Sequence, residues 1–253
     1  MLTLEEYEKL NPRCEIEHEG VRVIYAVPTR ATKWRVDTLF EKEPCTIQWI
    51  ASFAPGSVLV DIGANVGMYS IWAAKTRRAM VYAFEPESQN YALLNRNIAI
   101  NALEGHIKAY CVALSDQRGY SDLYLSDFQV GGSCHSLGER VDFAHRPMQP
   151  AYAQGCVSDR LDDLVAAGIV RVPQFIKIDV DGFEPKVIAG ARRTIADKQV
   201  RSMLIETNQN LADHMQMVAE IESLGFRYDK DQVVAAERKS GAFKGVAEYV
   251  FWR

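Results

Sequence analysis

The chain has 253 residues, of which 48% are hydrophobic and 25% are charged, and its formal net charge is -4. This length and apolar content can bury the core of one α/β domain, so a second independent domain is not required. The slight negative charge argues against duplex nucleic acid or an anionic membrane as the main partner, because both favour a basic surface.

The cysteines and the N-terminus indicate a reducing compartment. The five cysteines are scattered and include no C-x-x-C pair, so neither a disulfide framework nor a zinc site is predicted. The segment Met1–Lys9 is acidic and lacks the apolar centre of a signal peptide, and no apolar run is long enough to span a bilayer. We therefore expect a cytoplasmic protein with no membrane span, while the sequence does not indicate its oligomeric state.

The first 54 residues are predicted to form a cover over the main domain, which is expected to span residues 55–253. A short helix is predicted over Thr3–Leu10, because Thr3 is followed three places later by Glu6, as in a capping box. The stretches Cys14–His18 and Val21–Val27 predict a hairpin. Helical spacing follows in residues 34–40 and 46–53.

Strands and helices alternate from residue 58 onward, which predicts a mostly parallel sheet with helices on both faces. The last two strands follow one another with no clear helix between them, so we expect an antiparallel pair. The predicted strands are 58–62, 80–84, 107–113, 174–179, 201–206, 226–229 and 246–252, and the predicted helices between residues 67 and 224 are 67–75, 87–101, 158–167, 184–197 and 210–224.

The strand Val58–Ile62 leads into a tight turn with two glycines and then into a helix. Glycines let the backbone approach a ligand closely, and a helix N-terminus presents unpaired N–H groups, so this is a nucleotide-binding arrangement. The residues expected to hold the amino-acid part of a cofactor are Asp61, Gly63, Ala64, Asn65 and Gly67, with further contacts from Tyr69 and Ser70.

The next strand ends at Glu85-Pro86, where nucleoside-binding folds place a carboxylate that accepts hydrogen bonds from both ribose hydroxyls. A dinucleotide fingerprint would have glycines at the positions of Asn65 and Met68, and no Gly-Lys-Ser/Thr follows the turn. A ligand with a base and a ribose but no phosphate remains. These residues therefore indicate S-adenosylmethionine.

A long loop is predicted near residues 127–157, after a strand-like stretch at 120–125. The region is rich in Gly, Ser, His and Pro and has no regular period, which is typical of a binding loop. We expect it to recognise the substrate. His135 and His145 lie in it and are candidate bases near neutral pH, with plain solvent exposure as the alternative.

The segment from Lys177 to Glu184 places three carboxylates after an apolar strand, where charge is costly unless it is paired or functional. Asp179 is predicted to face the reacting methyl group, either as general base or by aligning the reactants. For Asp181, the alternative to a role in the site is a hydrogen bond to the loop. For Glu184, the alternative is that an acid at the start of a helix stabilises the helix dipole. Glu206 is a second candidate base, or a strand-end hydrogen-bond acceptor. No metal site is predicted, although a divalent cation at these oxygens stays an alternative.

Three motifs, Asp61-Ile-Gly-Ala-Asn-Val-Gly67, Phe84-Glu-Pro86 and Lys177-Ile-Asp-Val-Asp-Gly-Phe-Glu184, together resemble the FkbM family of methyltransferases. The resemblance covers roughly residues 43–206. It implies a class I methyltransferase-like Rossmann fold with a seven-stranded sheet of order 3-2-1-4-5-7-6. It also implies that Glu43 and Thr46 lie over the cofactor, and that the adenine pocket is lined by Ala113, Ser115 and Asp116.

The expected activity is transfer of the methyl group of S-adenosylmethionine to an oxygen, which leaves S-adenosylhomocysteine. Amino-methyltransferases typically carry an Asn-Pro-Pro-Tyr-like turn after the fourth strand, whereas Asp-Val-Asp-Gly-Phe-Glu stands here. The resemblance implies a hydroxyl of a sugar, glycan or other natural product as acceptor. Two alternatives are a catalytically silent nucleoside-binding or scaffolding module and a nicotinamide-dependent dehydrogenase.

Overall fold

The computed structural model describes residues 2–253. The capping box at Thr3 is confirmed, because its side chain accepts a hydrogen bond from the Glu6 backbone and the Glu6 carboxylate accepts one from the Thr3 backbone. The predicted hairpin is also confirmed, with six antiparallel residue pairs. The N-terminal elements are α1 (Leu4–Lys9), β1 (Arg13–His18), β2 (Val21–Ala26), α2 (Arg30–Asp37) and α3 (Pro44–Ala51).

The remaining elements alternate between strand and helix except over residues 107–159, where five strands follow one another, and over residues 184–196, where two helices do. They are β3 (Val58–Ile62), α4 (Met68–Arg77), β4 (Met80–Phe84), α5 (Ser88–Ile100), β5 (Ile107–Tyr110), β6 (Ala113–Leu114), β7 (Gly119–Leu125), β8 (Ser136–Leu137), β9 (Tyr152–Asp159), α6 (Leu161–Ala166), β10 (Phe175–Ile178), α7 (Glu184–Ala189), α8 (Arg192–Ala196), β11 (Ser202–Asn208), α9 (Ala212–Ser223), β12 (Arg227–Tyr228), α10 (Lys230–Ala236) and β13 (Val246–Trp252).

The main sheet has seven strands in the order β5-β4-β3-β10-β11-β13-β12, which is the expected order 3-2-1-4-5-7-6. Neighbouring strands from β5 to β11 pair in parallel, and β13 pairs antiparallel with both β11 and β12. The predicted fold class, a Rossmann-like α/β fold of the class I methyltransferase type, is confirmed. Its carboxyl edge collects the ends of β3, β4, β10 and β11.

A second sheet, of order β6-β9-β7-β8, corrects two predictions. The strand predicted to reach residue 113 leaves the main sheet after Tyr110, and the end of the predicted loop forms β9. The β9 sequence shows no regular apolar alternation, so the strand depends on pairing with β7 over seven positions. The helix predicted from residue 158 consequently starts only at Leu161.

Two helix predictions were also wrong. The segment predicted as one helix over 184–197 forms α7 and α8, which meet at Gly190, where an added Cβ would lie 2.0 Å from the Ser115 carbonyl oxygen. The last two strands are separated by α10, which begins at the capping residue Asp229. Only Val233 of this helix is buried, so its sequence carries little helical periodicity.

The core lies on both faces of the main sheet. One cluster combines Tyr25 and Ile50 of the N-terminal elements with Ile71 of α4, and the other packs α6 to α9 against the opposite face. Residues within 23–53 therefore contribute to a core shared with the main domain, and the role of residues 1–54 as a separate cover stays a prediction. Across residues 2–253, no helix has both the length and the apolar character needed to cross a bilayer.

The glycine turn after β3 provides a stability test. Gly63 and Gly56 share a φ of +79°, but an added Cβ would lie 1.8 Å from the Asp179 carbonyl oxygen at Gly63 and would meet nothing within 4 Å at Gly56. Both alanine variants carry about 1 kcal/mol of left-handed strain. We expect Gly63→Ala to lower the free energy of unfolding by about 3 kcal/mol more than Gly56→Ala, since overpacking is added. Urea denaturation measures the difference, and equal losses would contradict the close approach.

Candidate active site

Two adjoining cavities lie at the carboxyl edge of the main sheet. The larger has a volume of about 180 Å³ and the smaller about 50 Å³. Both are bounded by the glycine turn and by the end of β10, so they form one continuous site with two chambers. The residues that line both chambers are Arg35, Lys42, Gly63, Asn65 and Asp179.

The smaller chamber is lined by acids that are almost completely buried. Asp61 is 1% exposed, and its Oδ2 accepts a hydrogen bond from Ser70 at 2.5 Å. Its Oδ1 is buried and has no hydrogen-bond partner within residues 2–253. Glu43 is 2% exposed and accepts a hydrogen bond from the Tyr69 hydroxyl at 2.8 Å. A ligand carrying an ammonium group would satisfy Asp61 Oδ1.

An ion pair at the end of β10 separates the two chambers. Lys177 is 2% exposed, and its Nζ lies 2.8 Å from Asp179 Oδ2. Burial opposes both charges, but the neighbouring Asp179 raises the pKa of Lys177, while Lys177 lowers the pKa of Asp179 to about 2. Lys177 also lies 5.2 Å from the centre of the Tyr69 ring. Asp179 is therefore an ionised, firmly held group and a weak proton acceptor.

Glu85 links the end of β4 to the glycine turn. Its Oε2 accepts a hydrogen bond from the Asn65 N–H at 2.7 Å, and its Oε1 accepts one from the Glu87 N–H at 2.9 Å. Burial raises the pKa of this carboxyl to about 7 although both backbone donors oppose the shift. Glu85 and Pro86 line the larger chamber, and each carboxylate oxygen retains a lone pair for a hydroxyl donor.

A short strap, residues 130–134 of the long loop, forms one wall of the site. The Gly132 carbonyl accepts hydrogen bonds from the side-chain amides of Asn65 and Asn90, at 2.7 and 3.1 Å. Arg35 Nε donates to the Gly131 carbonyl at 2.9 Å, and the Cys134 N–H donates to Asp181 Oδ2 at 2.7 Å. The loop predicted to recognise substrate thus lies against the glycine turn and the acidic segment.

Three carboxylates converge in the larger chamber, those of Asp179, Asp181 and Glu206, and their oxygens lie within 4.8 Å of one another. Burial raises the pKa of Glu206 well above its usual range, and Asp179 adds to this, although Arg238 Nη2 lies 3.0 Å from Glu206 Oε1. Lys177 and Arg238 supply positive charge to this group.

His135 also lines the larger chamber. Its Nδ1 accepts a hydrogen bond from the Ser126 N–H at 3.3 Å, so the neutral ring carries its proton on Nε2. Burial lowers the pKa of this ring, which keeps it neutral near pH 7. The Nε2 atom is buried and has no hydrogen-bond partner within residues 2–253. His145 Nε2 instead lies 2.9 Å from the Gly182 carbonyl oxygen, so it contacts the turn after Asp181.

Most of the predicted site residues reach the walls of the two chambers. They are Glu43, Asp61, Gly63, Ala64, Asn65, Tyr69, Glu85, Pro86, Ala113, Ser115, His135, Asp179 and Glu206. Four others lie outside these walls. Thr46 is fully buried in α3, Gly67 begins α4, Ser70 supports Asp61 from behind, and Asp116 accepts a hydrogen bond from Ser115 Oγ at 3.1 Å.

Several cavity residues were missed by sequence reasoning. Lys177 had a detectable signal, because a lysine between isoleucines in a predicted buried strand requires a partner. No comparable signal in the sequence marked Arg238. It lies between α10 and β13, and its guanidinium is close to the carboxylates of Glu43, Glu206 and Glu248, which come from separate parts of the chain. Arg35, Lys42 and Phe243 likewise reach the site only through folding.

The chain is similar to known methyltransferases. The model of the methyltransferase FkbM domain family matches residues 61–228. Methyltransferase sdnD of Sordaria araneosa is 26% identical over 205 residues, 72% of this chain and 78% of the relative. The 31-O-demethyl-FK506 methyltransferase FkbM of Streptomyces tacrolimicus is 27% identical over 169 residues, covering 58% and 64%. Hexuronic acid methyltransferase AglP of Haloferax volcanii is 23% identical over 190 residues, covering 75% and 72%.

The fold and the two-chambered site define a Rossmann-like nucleoside-binding enzyme rather than a dinucleotide-binding one. Since the family match covers more than half of the chain, the protein belongs to the methyltransferase FkbM domain family. It is an S-adenosylmethionine-dependent methyltransferase. The predicted family and cofactor are confirmed, and the dehydrogenase and scaffold alternatives are set aside.

Glu184 provides a pH test of the site's electrostatics. It is 1% exposed, its Oε1 accepts a hydrogen bond from the Val180 N–H at 2.8 Å, and burial raises its pKa from 4.5 to about 8. Between these values the folded protein holds a proton that the unfolded chain has lost, so stability falls as the pH rises. We expect the free energy of unfolding of the cofactor-free protein to decrease from about pH 5 to pH 8, by up to about 1.4 kcal/mol per pH unit from this group.

The variant Glu184→Gln should flatten this dependence, because the amide cannot titrate. Glu104→Gln, at an exposed position, serves as the control and should keep the wild-type slope. Chemical denaturation at a series of pH values measures each slope. Identical slopes in all three proteins would contradict the raised pKa of Glu184.

Proposed function

We propose that the protein transfers the methyl group of S-adenosylmethionine to a hydroxyl of a sugar, glycan or other natural product. The observation that carries this proposal is the convergence of three carboxylates, those of Asp179, Asp181 and Glu206, in the larger chamber. Carboxylates accept hydrogen bonds from hydroxyl groups and can take up the proton that a hydroxyl loses on methylation. The strap adds polar backbone groups beside them.

The cofactor is proposed to lie across both chambers. The buried, unpartnered Asp61 Oδ1 and the neighbouring Glu43 suit its ammonium group, and Arg35 and Lys42 suit its carboxylate. Glu85 would bind the ribose hydroxyls. The apolar wall that includes Ala113 and Ser115 would receive the adenine, with Leu123 and Leu137 opposite.

The remaining chamber walls suggest roles for the other predicted residues. Asp179, held by Lys177, would align the reactants, while Glu206 and the Nε2–H of His135 would hydrogen-bond the acceptor. Phe183 and Phe243 offer apolar surface of the kind on which a sugar ring can pack. In this proposal residues 1–54 cover the cofactor chamber, and residues 55–253 form the catalytic domain.

The names of the relatives support an oxygen acceptor on a natural product. One acts on 31-O-demethyl-FK506 and another on a hexuronic acid, according to their names. Arg35, Lys42, Lys186 and Arg238 give the site cationic side chains as well as acids, so an acceptor that carries a carboxylate is within the proposed class.

Cofactor binding tests the placement of the ribose. Glu85→Ala removes both proposed hydroxyl contacts, so we expect S-adenosylmethionine to bind at least about tenfold more weakly, as the loss of a charge-assisted hydrogen bond implies. Isothermal titration calorimetry with the cofactor and with S-adenosylhomocysteine measures this. Glu104→Ala is the control and should bind as wild type does. Unaltered affinity in Glu85→Ala would place the ribose elsewhere.

A transfer assay tests the acceptor. Protein is incubated with S-adenosylmethionine labelled in its methyl group and with matched pairs of acceptors, each a hydroxyl compound and its deoxy counterpart. We expect label only in the hydroxyl members of sugar, uronic acid or polyketide-like pairs. Mass spectrometry should detect the labelled methyl group as a methyl ether of the acceptor. Label on nitrogen or carbon, or none on any hydroxyl, would contradict the proposal.

A further inference from the structure

We propose that Asp181 is the catalytic base that removes the proton from the acceptor hydroxyl. The inference rests on the proposed function, since it assumes an oxygen acceptor. Sequence reasoning favoured Asp179, Glu206 or His135 for this role and assigned Asp181 to the loop. The contacts in the larger chamber favour Asp181 instead.

Asp181 differs from its two acidic neighbours in its partners. Asp179 is paired with Lys177 at 2.8 Å, and Glu206 is paired with Arg238 at 3.0 Å. Within residues 2–253, no lysine, arginine or histidine nitrogen lies within 4.0 Å of an Asp181 oxygen. Its Oδ2 accepts the Cys134 N–H at 2.7 Å, and the Cys134 thiol is a second, weak donor to this carboxyl. Both donors are uncharged, so this carboxylate is not held by a cation and remains available to an acceptor hydroxyl.

The backbone holds Asp181 in this position. Its φ is +54°, a left-handed conformation in a tight turn, and the next residue is Gly182, where an added Cβ would lie 2.9 Å from the Phe143 carbonyl oxygen. Glu184 accepts the Val180 and Gly182 N–H groups, at 2.8 and 3.1 Å for their shortest contacts. The turn is thus braced from the helix side by Glu184 and from the strap side by Cys134.

The pKa shifts of the three acids also favour Asp181 as the base. Burial and the charge of Asp179 raise the pKa of Asp181 to about 6, so it is ionised near neutral pH and still basic. Lys177 lowers the pKa of Asp179 and makes it a weaker base, whereas burial raises the pKa of Glu206 well above its usual range. The charged and titratable groups facing Asp181 from neighbouring elements are Asp179, Glu184, Glu206, Glu85, Cys134 and Arg35.

His135 does not compete for the role. Its Nδ1 already accepts the Ser126 N–H, so the neutral ring carries its proton on Nε2, which is buried and cannot act as a base while it holds that proton. In the proposed step the acceptor oxygen bonds to the methyl carbon, the carbon–sulfur bond breaks with its electron pair on sulfur, and the hydroxyl proton passes to the Asp181 carboxylate. The sulfonium charge is lost as the carboxylate becomes neutral, so charge balances. Asp181 then releases the proton to solvent.

The test compares Asp181→Asn with the wild type in two measurements. Asparagine tolerates a positive φ and its amide oxygen can accept the Cys134 N–H, so the turn should survive. We expect kcat to fall by about 100-fold or more, as for loss of a general base, while the cofactor affinity measured by calorimetry changes less than about threefold. Wild-type kcat/KM should rise with pH with an apparent pKa near 6, and this rise should disappear in the variant.

A second measurement does not depend on turnover. In cofactor-free protein labelled with carbon-13 at aspartate carboxyls, one resonance should titrate near pH 6 and be missing in Asp181→Asn. The Glu104→Gln variant is the control and should retain wild-type kcat. Asp179→Asn should weaken cofactor binding as well as lower kcat, because it leaves Lys177 without its partner.

The outcomes separate the two proposals. A wild type that methylates hydroxyls and an Asp181→Asn variant with at least about one third of its kcat would overturn the base assignment alone. Chelator-sensitive activity that Mg²⁺ restores, with weakened Mg²⁺ dependence in Asp181→Asn, would make the carboxylate a metal ligand and also overturn it. A wild type with no hydroxyl transfer would overturn the proposed function, whatever the carboxyl titration shows.

Discussion

The buried contact between Lys177 and Asp179 organises the site. Both residues belong to the end of β10, and their charges would be unfavourable in the sheet interior without each other. Around them, the chambers are lined by further acidic and basic side chains, which are Glu43, Asp61, Glu85, Asp181, Glu206, Arg35, Lys42, Lys186 and Arg238.

The strap contacts two separate parts of the site. It hydrogen-bonds to the glycine turn through Asn65 and to the acidic segment through Asp181, so one stretch of loop contacts both the cofactor cradle and the proposed base. Because Arg35 donates to the same stretch, the N-terminal elements are tied to it as well. In the proposed arrangement, the cofactor and the acceptor therefore share one wall of the cavity.

Local signals explain which elements could be predicted. The β3 turn, the end of β4 and the end of β10 each combine an apolar strand with a polar terminus, and parallel topology brings such ends to one edge. Strand β9 and helix α10 lack a clear apolar period, so neither was predicted. The first depends on pairing with β7, and the second on a cap at Asp229 and packing against β13.

The sequence by itself determined the fold class, the family and the cofactor, and most of the residues that it predicted for the site lie in the cavity walls, because those depend on short motifs whose geometry is local. Only the tertiary structure decided the partners of each acid. Two helices and a strand separate Arg238 from Glu206 along the chain, and Cys134 reaches Asp181 from the strap. Proton affinity depends on burial and on charges within a few ångströms, and residues far apart along the chain supply those charges.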